Sequence, residues 1–326
     1  MSLSTTDDAT NKNISDQNIG DKNKGGKNIK GENVLKSPTS LLLITGTLIG
    51  FNFPLGKIAG EAGVSPMIWA LLVSVGVCCL LFPSLLFRRQ LKRPKGKTLR
   101  YAVLSALISF VIPNLLLFSV IPHAGAGYTG LMFALSPVFT LALATLFRLK
   151  TPNLLGITGI AIGLIGAIVV SITRAGSAEA PELIWIIAAI LIPLTLACGN
   201  IYRTIDWPEN ALPDSLAFWS HSFAIFVFIV LLLATTGTVR ISELAVIPWI
   251  ALTQAVVAGL TFPVFFRLQQ KGGPVLLSQI GYVAAAVGLI TATLILGERY
   301  SLFTWGGAGI IAIGIVITII SQRTKA

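Results

Sequence analysis

Acidic residues are absent from most of this chain. Between Thr39 and Ile320 it runs through ten long apolar stretches, and no Asp or Glu lies inside any of them. Charged residues make up 11% of the whole, against the roughly 25% of a soluble domain, so the chain has too little charge to cover a water-soluble surface. Histidine is scarce as well, with two residues, and there is no His-Glu-x-x-His, no Gly-x-Ser-x-Gly and no carboxylate pair at depth. The chemistry of a hydrolase or metalloenzyme therefore has no carriers here, and the expectation is a protein that is not an enzyme, with no metal and no cofactor. The three cysteines, Cys78, Cys79 and Cys198, fall inside apolar stretches without Cys-x-x-Cys spacing and read as small buried apolar residues.

What the chain does have is length in its apolar runs. A helix rises about 1.5 Å per residue, so roughly 20 apolar residues cross the hydrocarbon of a bilayer. The runs cover about 39–60, 66–87, 99–121, 124–147, 153–172, 183–205, 215–236, 244–268, 273–297 and 301–320. Segments such as Leu183 to Leu196 and Val275 to Leu296 are apolar on nearly every face, which points to lipid rather than to one side of a globular core. The expected fold class is an all-α integral membrane protein with ten transmembrane helices. Met1 to Lys36, rich in Asn, Lys, Asp, Gly and Ser with no apolar run, reads as a disordered tail and lacks the pattern of a signal peptide.

Basic residues set the orientation. With the N-terminus in the cytoplasm, 20 Lys and Arg fall in cytoplasmic segments and 4 outside: Lys57, Arg174, Arg240 and Arg299. The positive-inside rule then predicts both termini in the cytoplasm. The net charge of +11 sits in loops and not among aromatics on one face, so nucleic acid is not an expected partner. The run from Arg88 to Arg100 reads as an anchor at the lipid headgroups, and the bilayer itself is the expected surrounding.

Five helices followed by five place the second half upside down relative to the first. An offset of 150 residues lays Gly156 on Gly306, Gly159 on Gly309 and Ile160 on Ile310, and Gly50-Phe51-Asn52 is echoed by Gly199-Asn200. The expectation is two inverted five-helix repeats, 38–173 and 182–321, behind a 1–37 tail, an architecture in which secondary transporters hold substrate between the halves. Glycines at 156, 159, 163 and 166 and at 306, 307, 309 and 314 give faces on which backbones can approach closely, within the chain or in a homodimer. Prolines inside the runs, Pro54, Pro83, Pro113, Pro137, Pro193, Pro248 and Pro263, predict bends.

Three stretches carry a family resemblance. Gly50-Phe51-Asn52-Phe53-Pro54-Leu55-Gly56-Lys57 resembles the opening of the ten-helix EamA family of the drug/metabolite transporter superfamily. Ala134-Leu135-Ser136-Pro137-Val138-Phe139 resembles its fourth helix, and Leu294-Ile295-Leu296-Gly297-Glu298-Arg299 the end of its ninth. The resemblance implies a bacterial inner-membrane carrier of amino acids or related metabolites, often an exporter, with a cavity built from the first four helices of each half. Three features depart from the family: Phe147-Arg148-Leu149-Lys150 replaces the Gly-Glu-Arg expected after the fourth helix, an Arg often found in the second helix is missing, and the ninth helix carries Tyr282-Val283 and no central proline.

Polar side chains within hydrocarbon are costly and face a cavity or another helix. Counting from the ends of the runs, Asn52, Asn114, Gln254 and Tyr282 lie nearest mid-depth, with Asn200, His221 and Gln279 toward the cytoplasmic side and Tyr128 toward the outside. These eight are the expected substrate-binding residues, with Phe53, Trp69, Trp219 and Phe262 as apolar walls. Lys57 and Arg203 are long enough to snorkel to water, and Glu298 with Arg299 reads as a surface pair at a helix end. A small neutral or zwitterionic metabolite such as an amino acid suits this mixture; the alternatives are a channel or a carrier for other solutes, and then an embedded enzyme or a scaffold.

Overall fold

A backbone surrounded by hydrocarbon must bond to itself, and a helix is the structure in which a single segment does so. The computed structural model describes residues 37–149, 153–175 and 181–323, and all regular structure among them is helical. Apart from Ser37, the expected tail 1–37 lies outside the described residues. Seven stretches are long and apolar enough to cross a membrane. They are Pro38–Glu61, made of α1 (Pro38–Gly50) and α2 (Asn52–Glu61); α3 (Pro66–Phe87); Gly96–Ala124, in which a π-helical segment Ala106–Val111 joins α4 (Gly96–Ser105) to α5 (Ile112–Ala124); and Ala126–Leu146, made of α6 (Ala126–Phe133) and α7 (Ser136–Leu146). After α8 (Leu154–Ala175) come α9 (Leu183–Ile205), α10 (Pro213–Thr236) and α11 (Pro248–Ser278). Three shorter apolar helices complete the set: Leu154–Val170 within α8, α12 (Ile280–Leu294), and Leu302–Gly314 within α13 (Leu302–Arg323).

Local sequence explains where these helices start and stop. Prolines open α3, α10 and α11, where a missing N–H costs nothing and φ is already helical. At α3 the preceding Ser65 also accepts a 3.3 Å hydrogen bond from Ile68 N. Gly273, at φ +66°, turns the chain between the long first part of α11 and residues 274–278, which lead into α12. The loop before α13 is tied down from inside. The half-buried Glu298, expected at the surface, accepts hydrogen bonds from Ala126 N at 2.8 Å and Gly127 N at 3.1 Å, and so caps the N-terminus of α6. Tyr300 donates its hydroxyl to the same carboxylate and accepts from Tyr128 N at 3.2 Å.

Helices pack closest where side chains are smallest. Helices α8 and α13 lie along each other through glycines: a Cβ on Gly166 would sit 2.7 Å from Ile311 N and 2.8 Å from Gly307 O, and one on Gly314 would sit 2.7 Å from Gly159 O. A second close approach brings α1 onto α12, where Gly50 abuts Val287. With no hydrophobic effect between helices in lipid, such contacts are what hold them together. Gly306 and Gly309, by contrast, have open space where a Cβ would be.

The two kinds of glycine predict opposite outcomes. Gly166→Ala forces backbone apart and should destabilise by about 1–3 kcal/mol. Gly309→Ala only gains helix propensity and should stabilise by at most about 1 kcal/mol. Unfolding of the purified variants in detergent checks both, and a Gly166→Ala protein as stable as the parent would contradict the α8–α13 seam.

Candidate functional site

Four interruptions of helix geometry lie around one cavity. Phe51 separates α1 from α2, the π segment Ala106–Val111 interrupts Gly96–Ala124, Ala134 and Leu135 separate α6 from α7, and Gln279 separates α11 from α12. Three of these fall in the turn before a proline, namely Pro54, Pro113 and Pro137. A proline cannot donate to the carbonyl four residues back, and its ring pushes that carbonyl away. The cavity between them is about 700 Å³, counting the open solvent it reaches. Its lining follows the breaks: Ile49 and Asn52 at the first, Ser109 and Phe110 at the second, Phe133 and Ser136 at the third, and Leu277, Ser278, Ile280 and Gly281 at the fourth. Val73, Asn114, Leu117, Leu196, Asn200, Arg203, Phe262 and Phe265 fill in the wall between them.

Each polar group on the wall has a definable environment. Asn52 donates through Nδ2 to the carbonyls of Leu48 (3.2 Å) and Ile49 (3.1 Å), in the turn that precedes the first break. Its Oδ1 accepts from Gln254 Nε2 at 2.7 Å, a bond between the first apolar stretch and α11. The Asn114 Nδ2 group is buried and has no acceptor among the described residues. Asn200, from α9, donates to Thr140 Oγ1 at 3.4 Å and accepts from Arg203 Nη2 at 2.7 Å. Arg203 Nε donates to Gln269 Oε1 at 3.2 Å, and Gln269 is held in turn by Nε2 donation to Thr204 Oγ1 at 2.8 Å. The Arg203 guanidinium lies 4.9 Å from the Phe265 ring centre and 5.6 Å from that of Phe110.

Of the eight residues expected from depth, Asn52, Asn114 and Asn200 line this cavity. Gln254 is fully buried behind Asn52 and orients it. His221 is also fully buried, 3.2 Å from Ser74 Oγ, with its ring 4.3 Å from Phe110 and 4.2 Å from Phe262, so it backs the aromatic wall without lining it. Gln279 is buried at the fourth break. Tyr128 is buried near the Glu298 cap, and Tyr282 packs half-buried against the core. Among the expected apolar walls, Phe262 is on the lining, Phe53 stands edge-on to Phe133 at 5.7 Å, Trp69 is buried in the core, and Trp219 donates to the Lys92 carbonyl. Lys57 pairs with Glu61 at 3.3 Å, away from the lining. Reading by depth passed over Ser109, Ser136, Ser278 and Gln269; Gln269 stands in a Gln-Gln-Lys cluster that looks like the start of a loop.

Comparison with known proteins shows the family. The model of the EamA-like transporter family matches the chain twice, at residues 37–172 and 183–320. The chain belongs to the EamA-like transporter family. Two curated relatives show how far the similarity reaches across this family. An uncharacterized inner membrane transporter, YedA, of Escherichia coli K12 is 25% identical over 78% of this chain and 83% of its own length. A probable amino-acid metabolite efflux pump of Salmonella typhimurium LT2 is 24% identical over 87% of this chain and 95% of its own. A solved crystal structure shares the fold with a TM-score of 0.63 at 17% identity, covering 89% of this chain and all of that one. Inner membrane transporters among the relatives and membrane-length helices in the chain together make this an inner-membrane, multi-pass protein of a transporter family.

The Asn52–Gln254 bond gives this site a test of its own. Asn52→Ala and Gln254→Ala should each destabilise by about 1 kcal/mol, since the first leaves the buried Gln254 Nε2 and the second leaves Asn52 Oδ1 without its partner. The double variant should cost less than the sum, with a coupling of about 0.5–1.5 kcal/mol. Strict additivity in unfolding measurements would mean that the two side chains do not meet.

Proposed function

We propose that this protein is a non-enzymatic secondary carrier built from ten transmembrane helices in two inverted repeats, 38–173 and 182–321. It moves small neutral or zwitterionic metabolites, amino acids among them, outward across the inner membrane. The observation that carries this reading is the cavity at the four helix breaks, which takes its lining from both halves of the chain. Broken helices at membrane depth are the usual way that transporters build a substrate site. Apolar walls with a few convergent amides and hydroxyls suit a solute with an apolar body and a polar head.

The pattern of helix packing supports the repeat. Under exchange of halves, Pro38–Glu61 corresponds to α9, α3 to α10, Gly96–Ala124 to the first part of α11, Ala126–Leu146 to α12, and α8 to α13. Contacts of α1 with α11 and α12 then map onto those of α9 with α5 and α7, and α3 with α11 maps onto α10 with α4 and the π segment. Pairs α3–α10, α6–α12 and α8–α13 map onto themselves. The double match of the family model and the names of the relatives point the same way. The 20 to 4 split of basic residues favours both termini in the cytoplasm.

No carboxylate is among the residues that line the cavity, so exchange or facilitated diffusion is the default mechanism, without a proton-carrying acid. Reporter fusions at Ala62 and Ser242 should read outside, and fusions at Gly96 and Pro208 inside; a reversed pattern would sink the topology. In proteoliposomes, labelled amino acid should enter faster when unlabelled solute is trapped inside, as a carrier requires. Flux that neither saturates nor responds to trapped solute would make the protein a pore.

A further inference from the structure

Arg203 is the strongest unexplained feature of the cavity. It is 2% exposed, it lies on the cavity wall, and it forms no ion pair among the described residues. Its two protein acceptors, Gln269 Oε1 and Asn200 Oδ1, are neutral amides, and the rings of Phe110 and Phe265 beside it are neutral too. Asp206, one turn along the chain, is already committed to Arg100 and Tyr202. A guanidinium has five N–H donors. Two are used here, which leaves Nη1 and one hydrogen of Nη2 with no acceptor among the described residues. The amides are themselves positioned: Gln269 by Thr204 and Asn200 by Thr140. They fix the guanidinium plane without cancelling its charge.

A buried cation without a counter-ion is expensive, and in a membrane protein such a group usually marks the place where a partner binds. The unused end of a guanidinium matches a planar group with two oxygens and one negative charge. A dianion such as phosphate would bring a second charge, and among the described residues no other Lys or Arg lines the cavity.

We propose that Arg203 is a substrate-binding, specificity-determining residue that docks a carboxylate, so that the transported class is monocarboxylates and zwitterions with an apolar side chain. The hydroxyls of Ser136 and Ser278 and the apolar faces of Leu196 and Ile280 take the remainder of such a molecule. This assignment rests on the carrier reading above but is tested without flux.

The test uses the full chain in lipid nanodiscs, with thermal unfolding and equilibrium binding as readouts. The probes are L-phenylalanine, 3-phenylpropanoate, 2-phenylethylamine and inorganic phosphate, each at up to about 10 mM, above the usual range of Michaelis constants. The two carboxylates should raise the unfolding midpoint by about 3 °C, and the amine and phosphate should not. Arg203→Gln should weaken carboxylate binding by about thirtyfold or more, and Arg203→Lys, which keeps the charge but not the fork, by less. Gln269→Glu supplies an internal counter-ion: it should raise the midpoint of the ligand-free protein and abolish the response to carboxylates, which keeps the test decisive if Arg203→Gln fails to fold.

The assignment is overturned if neither carboxylate shifts the parent protein, if the amine or phosphate acts as strongly as the carboxylates, or if Gln269→Glu lowers the ligand-free midpoint or still binds carboxylate like the parent. Carboxylate binding that depends on Arg203 but is never followed by flux into liposomes would instead defeat the carrier reading and leave the assignment in place.

Discussion

The demand that every backbone N–H and C=O in hydrocarbon find a partner within the protein governs this structure. A helix meets it at each residue, so a chain under this demand has no reason to break a helix unless something else accepts the freed groups. Here four breaks gather at one place. Those near Phe51, Ala106–Val111, Ala134–Leu135 and Gln279 surround the same cavity. At the first of them Asn52 bonds to the carbonyls of Leu48 and Ile49 while Gln254 holds its other end.

Such a cavity needs a rigid surround, and packing supplies it by two means. Away from the cavity, α8 and α13 close on each other through backbone contact at glycines. Nearer to it, Gly50 lets α1 lie against Val287 of α12, and Gly281 lets α12 approach the Phe133 carbonyl of α6. Glu298 ties the loop after α12 to α6, because a carboxylate on the N-terminus of α6 meets both free amides and the positive end of the helix dipole. Elements distant in sequence are thus joined close to where the site forms.

Much of this was readable in the amino-acid sequence, and what was not readable has a physical cause. Apolar length locates the spans because lipid imposes it, and a proline one turn ahead of Phe51, Leu135 and the π segment announces three of the four breaks. The fourth, at Gln279, has no proline: backbone N–H groups of Gln279 and Tyr282 simply bond three residues back, to Leu276 and Gln279. Depth picked out Asn52, Asn114 and Asn200, which do line the cavity, but depth does not say which way a side chain points. Gln254 turns to Asn52, and Tyr282 turns into the core. Arg203 and Gln269 sit at the ends of apolar runs, where composition looks the same whether a residue reaches water or folds back into protein. Only the packing of Phe110 and Phe265 across the guanidinium separates the two cases.

The same ambiguity explains why charge is the most informative quantity in the finished structure. Lys57–Glu61, Arg100–Asp206 and Arg267–Asp214 are the ion pairs among the described residues, and each has a substantially exposed partner. Water screens such pairs, and each is worth little to stability. At these exposed positions, where pairing matters least, the protein pairs its charges; at Arg203, where an unpaired charge costs most, it supplies amides and aromatic rings in place of an acid. Stability alone would favour the reverse, since replacing a neutral partner such as Gln269 with an acid would neutralise the site. On the carboxylate-docking proposal the counter-charge comes and goes, because a carrier must bind its solute on one side and release it on the other. A permanent internal acid would satisfy Arg203 and leave the cavity with nothing to attract.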